Sequence, residues 1–165
     1  MSLDTPTERN GQTGHGAEIL VDADACPVKD ECVRIALRCR VPVTFVANQG
    51  FRLPRVPLVR QQVVSDGFDA ADDWIAERAG PGRIVVTADI LLAERCLKAG
   101  ARVLAPNGRP FTADSIGAAV ATRAIMADLR GSGDQAGPGA PPFSKADRAR
   151  FTQGLDAALT AALRP

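Results

Sequence analysis

Two acids one residue apart close the first apolar run of this chain. Glu18 to Pro27 reads EILVDADACP, with Asp22 and Asp24 following Ile19 to Val21. A short apolar run that ends in acids, with a Pro where a helix can begin, reads as a buried strand delivering carboxylates at its tip. Side chains alternate across a strand and the chain turns just beyond it, so a D-x-D there can aim both carboxylates into one crevice. Anions held that close raise each other's pKa, and a hard divalent cation, Mg²⁺ or Mn²⁺, is the natural ion to sit between them. The plain alternative is a helix cap, because Asp is among the best N-caps and Asp24 stands just ahead of Cys26 and Pro27.

Recurrence favours a site over a cap. Arg83 to Thr87 (RIVVT) is the clearest buried strand in the sequence, and it too stops at an acid, Asp89, ahead of a helical run from Ile90 to Ala99. Between the two strand ends, DGFDAADDWIAE packs Asp66, Asp69, Asp72, Asp73 and Glu77 at the start of a helix that carries Trp74 and Ile75 inward. The macrodipole favours acids in a first turn, yet four aspartates are more than a cap requires. The stretch before has the opposite sign: from Cys32 through Ser65 stand Arg34, Arg38, Arg40, Arg52, Arg55 and Arg60, and no acid. Within it, Asn48 to Pro57 (NQGFRLPRVP) reads as an exposed loop. Its Asn48, Gln49, Phe51, Arg52 and Arg55, with Arg60 beside it, are candidate substrate contacts: guanidinium forks for phosphates, Phe51 to stack on a base. Of the 20 basic residues 17 are Arg, so a compositional bias accounts for part of that signal.

The elements that must position these residues follow from hydrophobic period. Val28 to Cys39 carries Val28, Cys32, Val33, Ile35, Ala36 and Cys39 at helical spacing, and Val41 to Ala47 (VPVTFVA) reads as a β-branched strand. Together with the first strand they make a βαβ unit with parallel strands. Leu58 to Val64 reads as a third strand, Ala101 to Leu104 as a fifth, Pro106 to Pro110 as a turn, and Ser115 to Leu129 as an Ala-rich helix. Residues 1–17 read as a disordered leader, 18–130 as the α/β domain and 131–142 (GSGDQAGPGAPP) as a flexible linker. Residues 143–165 read as a terminal helix, with Ser144 and Asp147 as a capping box and Phe151, Leu155, Leu159 and Leu163 at steps of four, docking back on the domain. Exchange of that helix between two copies would make a homodimer. The expected architecture is a three-layer α/β/α domain with a mostly parallel sheet of about five strands, whose C-terminal strand ends share one ligand-binding edge.

Composition narrows the function classes. A chain of 165 residues with 45% apolar content builds a single core, and a net charge of +1 gives no global field to argue for a polyanion or a membrane. No apolar run reaches the span of a membrane helix, and the leader lacks the apolar core of a signal peptide, so a cytoplasmic protein is expected. Cys26, Cys32, Cys39 and Cys96 include no C-x-x-C pair, and the single His15 lies in the leader, which argues against structural zinc. Cys32 and Arg38 have a thiol-phosphatase spacing but fall inside a helical pattern rather than a phosphate loop.

The segments VDADACP, VANQGFRLP, DGFDAADDWI, VVTADILLA and FSKADRARF, in this order, resemble the motifs of the YaiI/YqxD family, small bacterial proteins related to PIN-like and NYN-like nuclease domains. The resemblance covers Glu18 to Leu163. It implies a PIN-like fold and a divalent-metal nuclease acting on RNA. It also implies catalytic carboxylates at Asp22, Asp72 and Asp89, with Asp24, Asp69 and Asp73 as further metal-ligand candidates. Three rival readings stand beside it. D-x-D after a first strand also opens haloacid-dehalogenase-type phosphatases, with Asp22 as nucleophile and Asp24 as acid, but no acidic pair follows Asp89 on a later strand. A non-catalytic nucleic-acid or protein-binding module could keep the fold and the metal. A nucleotide sensor would want a Gly-rich fingerprint that is missing here.

Overall fold

The polarity of each strand decides its place in the sheet. In the computed structural model, which describes residues 16–24, 26–65, 67, 69–118, 120–122 and 143–163, the apolar runs β1 (Glu18–Asp22), β2 (Val43–Ala47) and β4 (Arg83–Val86) lie in the interior of the sheet. Strand β3 (Val59–Val63), reading VRQQV, is too polar to be buried on both faces and takes one edge. The order is β3-β2-β1-β4-β5-β6, and every pairing is parallel except the last. Strands β5 (Arg102–Leu104) and β6 (Pro110–Phe111) close the other side as an antiparallel pair. The sequence reading placed a turn at Pro106 to Pro110; its last residue instead opens this sixth strand. Proline is tolerated there because an edge position needs no inward N–H.

Helices cover both faces, giving three α/β/α layers. Helix α1 (Lys29–Cys39) packs on the face formed by Ile19, Val21, Val43, Phe45, Ile84 and Val86. Helices α2 (Ala70–Arg78) and α3 (Ile90–Lys98) pack on the opposite face, over Leu20, Val46, Val85 and Val103. Residues 113–118 and 120–122 are helical as well (α4), and Ile116 joins the second core. Of the expected Ser115 to Leu129 helix, everything after residue 122 lies outside the described residues, as do residues 1–15 with His15 and the segment 131–142. Gly16 and Ala17 belong to the folded part: Ala17 is buried, and the Gly16 carbonyl accepts from Arg83 Nη1 at 3.1 Å. Trp74 is only half-buried under the Arg78 guanidinium, 3.7 Å from its ring centre, while Ile75 is the residue of that helix that points fully inward.

The terminal helix α5 (Lys145–Leu163) lies on the α1 side. Its capping box forms, with Ser144 N donating to Asp147 Oδ2 at 3.0 Å and Asp147 N to Ser144 Oγ at 3.1 Å. Phe151, Leu155 and Leu159 are completely buried. Close approach to the β5–β6 turn requires two glycines: Gly108 has φ +91°, and a Cβ on Gly154 would stand 2.9 Å from the Gly108 carbonyl. At the other side of the helix, Arg38 pairs with Asp156 at 2.7 Å, and Arg148 Nη1 donates to Glu31 Oε2 at 3.1 Å and to the Pro27 carbonyl at 2.9 Å.

Candidate functional site

Parallel pairing of β1 with β4 matches Val21 to Val86, so the next residues of both strands emerge side by side at the carboxyl edge of the sheet. Thr87, 1% exposed, donates its hydroxyl to Asp22 Oδ2 at 2.8 Å and accepts the Asp89 amide at 3.0 Å. One threonine thus fixes the two strand-end aspartates relative to each other. Asp89 also caps α3, accepting from Leu91 N at 2.9 Å and Leu92 N at 3.2 Å through Oδ1. Capping and site therefore coexist in the same carboxylate, whose Oδ2 takes no part in the cap. Asp24 accepts the Asn48 amide at 3.1 and 3.4 Å, which ties the β1 tip to the start of the loop after β2. Asp22, Asp24, Cys26, Ala88, Asp89, Ile90 and Pro106 line one cavity of about 400 Å³.

Helix α2 brings a further acid into the same field. Side chains of even-numbered β1 residues face α2 and α3, so Asp22 lies below the first turn of α2. Asp72 has its pKa pushed up to about 6, first by burial and then by the negative charges of Asp89, Asp22 and Asp69, with Arg95 pulling the other way. Burial also raises the Asp22 carboxyl; the Thr87 hydrogen bond opposes this, and Asp89 and Asp24 add to it. Asp73 points elsewhere: it pairs with Arg95 of α3 at 3.0 Å and clasps the two helices. Asp69 stands at the head of α2 without making a side-chain cap bond.

These donors are all hard oxygens, the set that Mg²⁺ and Mn²⁺ prefer. Among the described residues no three His, Cys, Asp or Glu side chains are gathered closely enough to hold a metal ion between them. An ion that keeps most of its water and takes one or two carboxylates directly needs no such all-protein cage.

The loop residues divide. Asn48 Nδ2 donates to the Ser65 carbonyl at 2.8 Å and ties the carboxyl ends of β2 and β3 together, while Gln49 is exposed. Phe51 is half-buried and lines a cavity of the loop. Its ring meets buried Phe45 edge-on at 5.9 Å and lies 5.0 Å from Lys29 Nζ, so it anchors the loop to the core. Arg52 and Arg55 line a second cavity, of about 700 Å³, with Leu53, Pro54, Val59 and Gln61. Arg60 does not join them, because strand alternation turns it to the other face of β3. Sequence reasoning missed Thr87, although a hydroxyl closing an otherwise apolar strand, two residues before an acid, was a usable signal.

The family described as "Uncharacterized BCR, YaiI/YqxD family" matches residues 20–161. The chain belongs to the YaiI/YqxD family. A UPF0178 protein of Sphingopyxis alaskensis is 69% identical over 142 residues, covering 86% of this chain and 92% of the relative. UPF0178 proteins of Bradyrhizobium diazoefficiens and of a Jannaschia species are 53% and 55% identical, covering 94% and 90% of this chain and 87% and 96% of theirs. No solved structure matches. The YaiI/YqxD match runs from β1 through α5, so the acidic edge, the arginine loop and the terminal helix all lie within it.

Proposed function

We propose that this YaiI/YqxD chain is a divalent-metal-dependent nuclease that hydrolyses phosphodiester bonds, with RNA as substrate. The observation that carries the reading is the shared field of Asp22, Asp72 and Asp89 at the carboxyl edge of a doubly wound sheet, where such folds bind ligands. Like charges kept together at the cost of raised pKa values are in the state that a cation relieves. A bound Mg²⁺ or Mn²⁺ would supply positive charge for the phosphoryl oxygens and lower the pKa of water.

Within the chain, Thr87 holds Asp22 in one orientation, and Asp22 Oδ1 and Asp89 Oδ2 are left for the ion and its water shell. Asp72, with its raised pKa, would act as the acceptor of a proton from an attacking water. The preference for RNA rests on the resemblance to PIN-like domains. The commitment of Asp89 to a helix cap and of Asp24 to the Asn48 amide favours, as second reading, a nucleic-acid-binding module without turnover.

The test is cleavage of end-labelled single-stranded RNA in Mn²⁺ by wild type and Asp22→Asn. Cleavage by wild type that falls at least about 100-fold in the variant is expected, as for loss of a principal electrostatic group. Intact RNA with wild type leaves the binding module; equal cleavage by both proteins overturns the role of Asp22.

A further inference from the structure

A cavity of about 700 Å³ lies away from the acidic edge, beside the edge strand β3. It is lined by Arg52 and Arg55 together with Phe51, Leu53, Pro54, Val59 and Gln61. Both arginines are exposed and, among the described residues, neither forms an ion pair or a side-chain hydrogen bond. Arg38, Arg78, Arg83, Arg95, Arg148 and Arg150 are paired with carboxylates, while Arg34, Arg40, Arg60, Arg102 and Arg109 are likewise unpaired among the described residues; what sets Arg52 and Arg55 apart is that both line one cavity. Two unpaired guanidinium groups lining one cavity suit a phosphate-bearing ligand.

The loop connects this cavity to the acidic edge. It leaves β2 at Asn48, whose amide binds Asp24, passes Phe51, which contacts the same Lys29 that donates to the Cys26 carbonyl at 3.2 Å, and reaches Arg52 and Arg55. Register places Gln62 level with Asp22, two strands or about 10 Å away and on the same face of the sheet. The cavity lies on the other face of β3, where Gln61 precedes Gln62 and Phe51, Leu53 and Val59 pack beside the α1 core, so a strand that reaches both must pass round the β3 edge.

We infer that the Arg52–Arg55 cavity is a phosphodiester subsite for a single-stranded polynucleotide whose scissile bond lies at the acidic edge. The inference rests on the proposed nuclease reading and adds the substrate's extent: a strand longer than a dinucleotide, running along the loop from Asp24 to Arg55. Phe51, buried edge-on against Phe45, serves as the fixed pivot of this track.

The experiment is fluorescence anisotropy with the full chain and labelled oligouridylates of about 12 nucleotides and of two, in EDTA so that no turnover occurs, across a salt series. Wild type is expected to bind the longer strand at least tenfold more tightly than the dinucleotide. The Arg52→Ala/Arg55→Ala double variant should lose about tenfold on the longer strand, with a salt slope shallower by about 1.4, two phosphates at about 0.7 each. Arg102→Ala, on β5 across the sheet, should keep both affinity and slope. An unchanged slope in the double variant, or equal affinity for both lengths, overturns the subsite. So does a polyglutamate peptide that binds wild type more tightly than the RNA, which would make the cavity a protein contact. Arginine-dependent binding without cleavage in Mn²⁺ would sink the nuclease reading and leave the subsite standing; cleavage with arginine-independent binding would do the reverse.

Discussion

Asp89 shows why a strand-end acid is hard to classify from sequence: its Oδ1 caps a helix and its charge raises the pKa of two other carboxyls. Substitution separates the two roles. Asp89→Ala should cost about 1 kcal/mol by loss of the cap, whereas Asp89→Ser should cost a few tenths, read as chemical denaturation midpoints; both should lose Mn²⁺ affinity. Asp72 offers a second residue-level test. Its folded pKa of about 6 lies above the ordinary 3.8, so between those values the folded state holds more protons than the unfolded. Stability therefore falls as pH rises through that window and stays lower above it. At face value the shift corresponds to about 3 kcal/mol, but Asp72 is only partly buried and solvent screening reduces this to about 1 kcal/mol. Asp72→Asn should accordingly stabilise the metal-free protein by about 1 kcal/mol at pH 7 and by nothing near pH 3.5, measured by urea unfolding at both pH values. Asp22 and Asp89 were legible because a strand end fixes what lies at the edge. The choice of Asp72 over Asp73 was not, because the rotation of α2 about its axis is set by the packing of Ala71 and Ile75 rather than by the acids themselves.

At the level of elements, hydrophobic period located the strands and helices, and the edge role of β3 follows from its two glutamines and arginine. The sixth strand stayed hidden because two residues containing a proline carry no period. For Phe51 in the arginine loop, sequence shows an aromatic in a polar stretch and not the Phe45 ring that it meets edge-on, so its anchoring contact had no local signal. The terminal helix showed its capping box and its apolar stripe, yet its polar clasp joins residues more than a hundred positions apart and left no local trace. That clasp is testable. Glu31 is buried with Oε1 lacking any hydrogen bond, so Arg148 is its main source of compensation. Arg148→Ala should destabilise by about 2 kcal/mol, since a buried carboxylate is left unpaired, and the additional change Glu31→Gln should recover part of that loss in a double-mutant cycle. Full additivity of the two changes would show that the pair does not couple.

Across the whole molecule the charge is sorted rather than scarce. Within a net charge of +1, acids gather at the carboxyl ends of β1 and β4 and arginines on the loop beside β3. Among the described residues no helix is long and apolar enough to cross a membrane. A divalent cation at the acidic edge would relieve the repulsion among its carboxylates. Calorimetric titration of Mn²⁺ into wild type and Asp22→Asn at pH 7 is the decisive measurement. Saturable binding to wild type, weakened at least tenfold in Asp22→Asn while the variant unfolds cooperatively, is the predicted result. No binding to wild type, or equal binding to both proteins, would contradict the account and return these aspartates to the capping of helices.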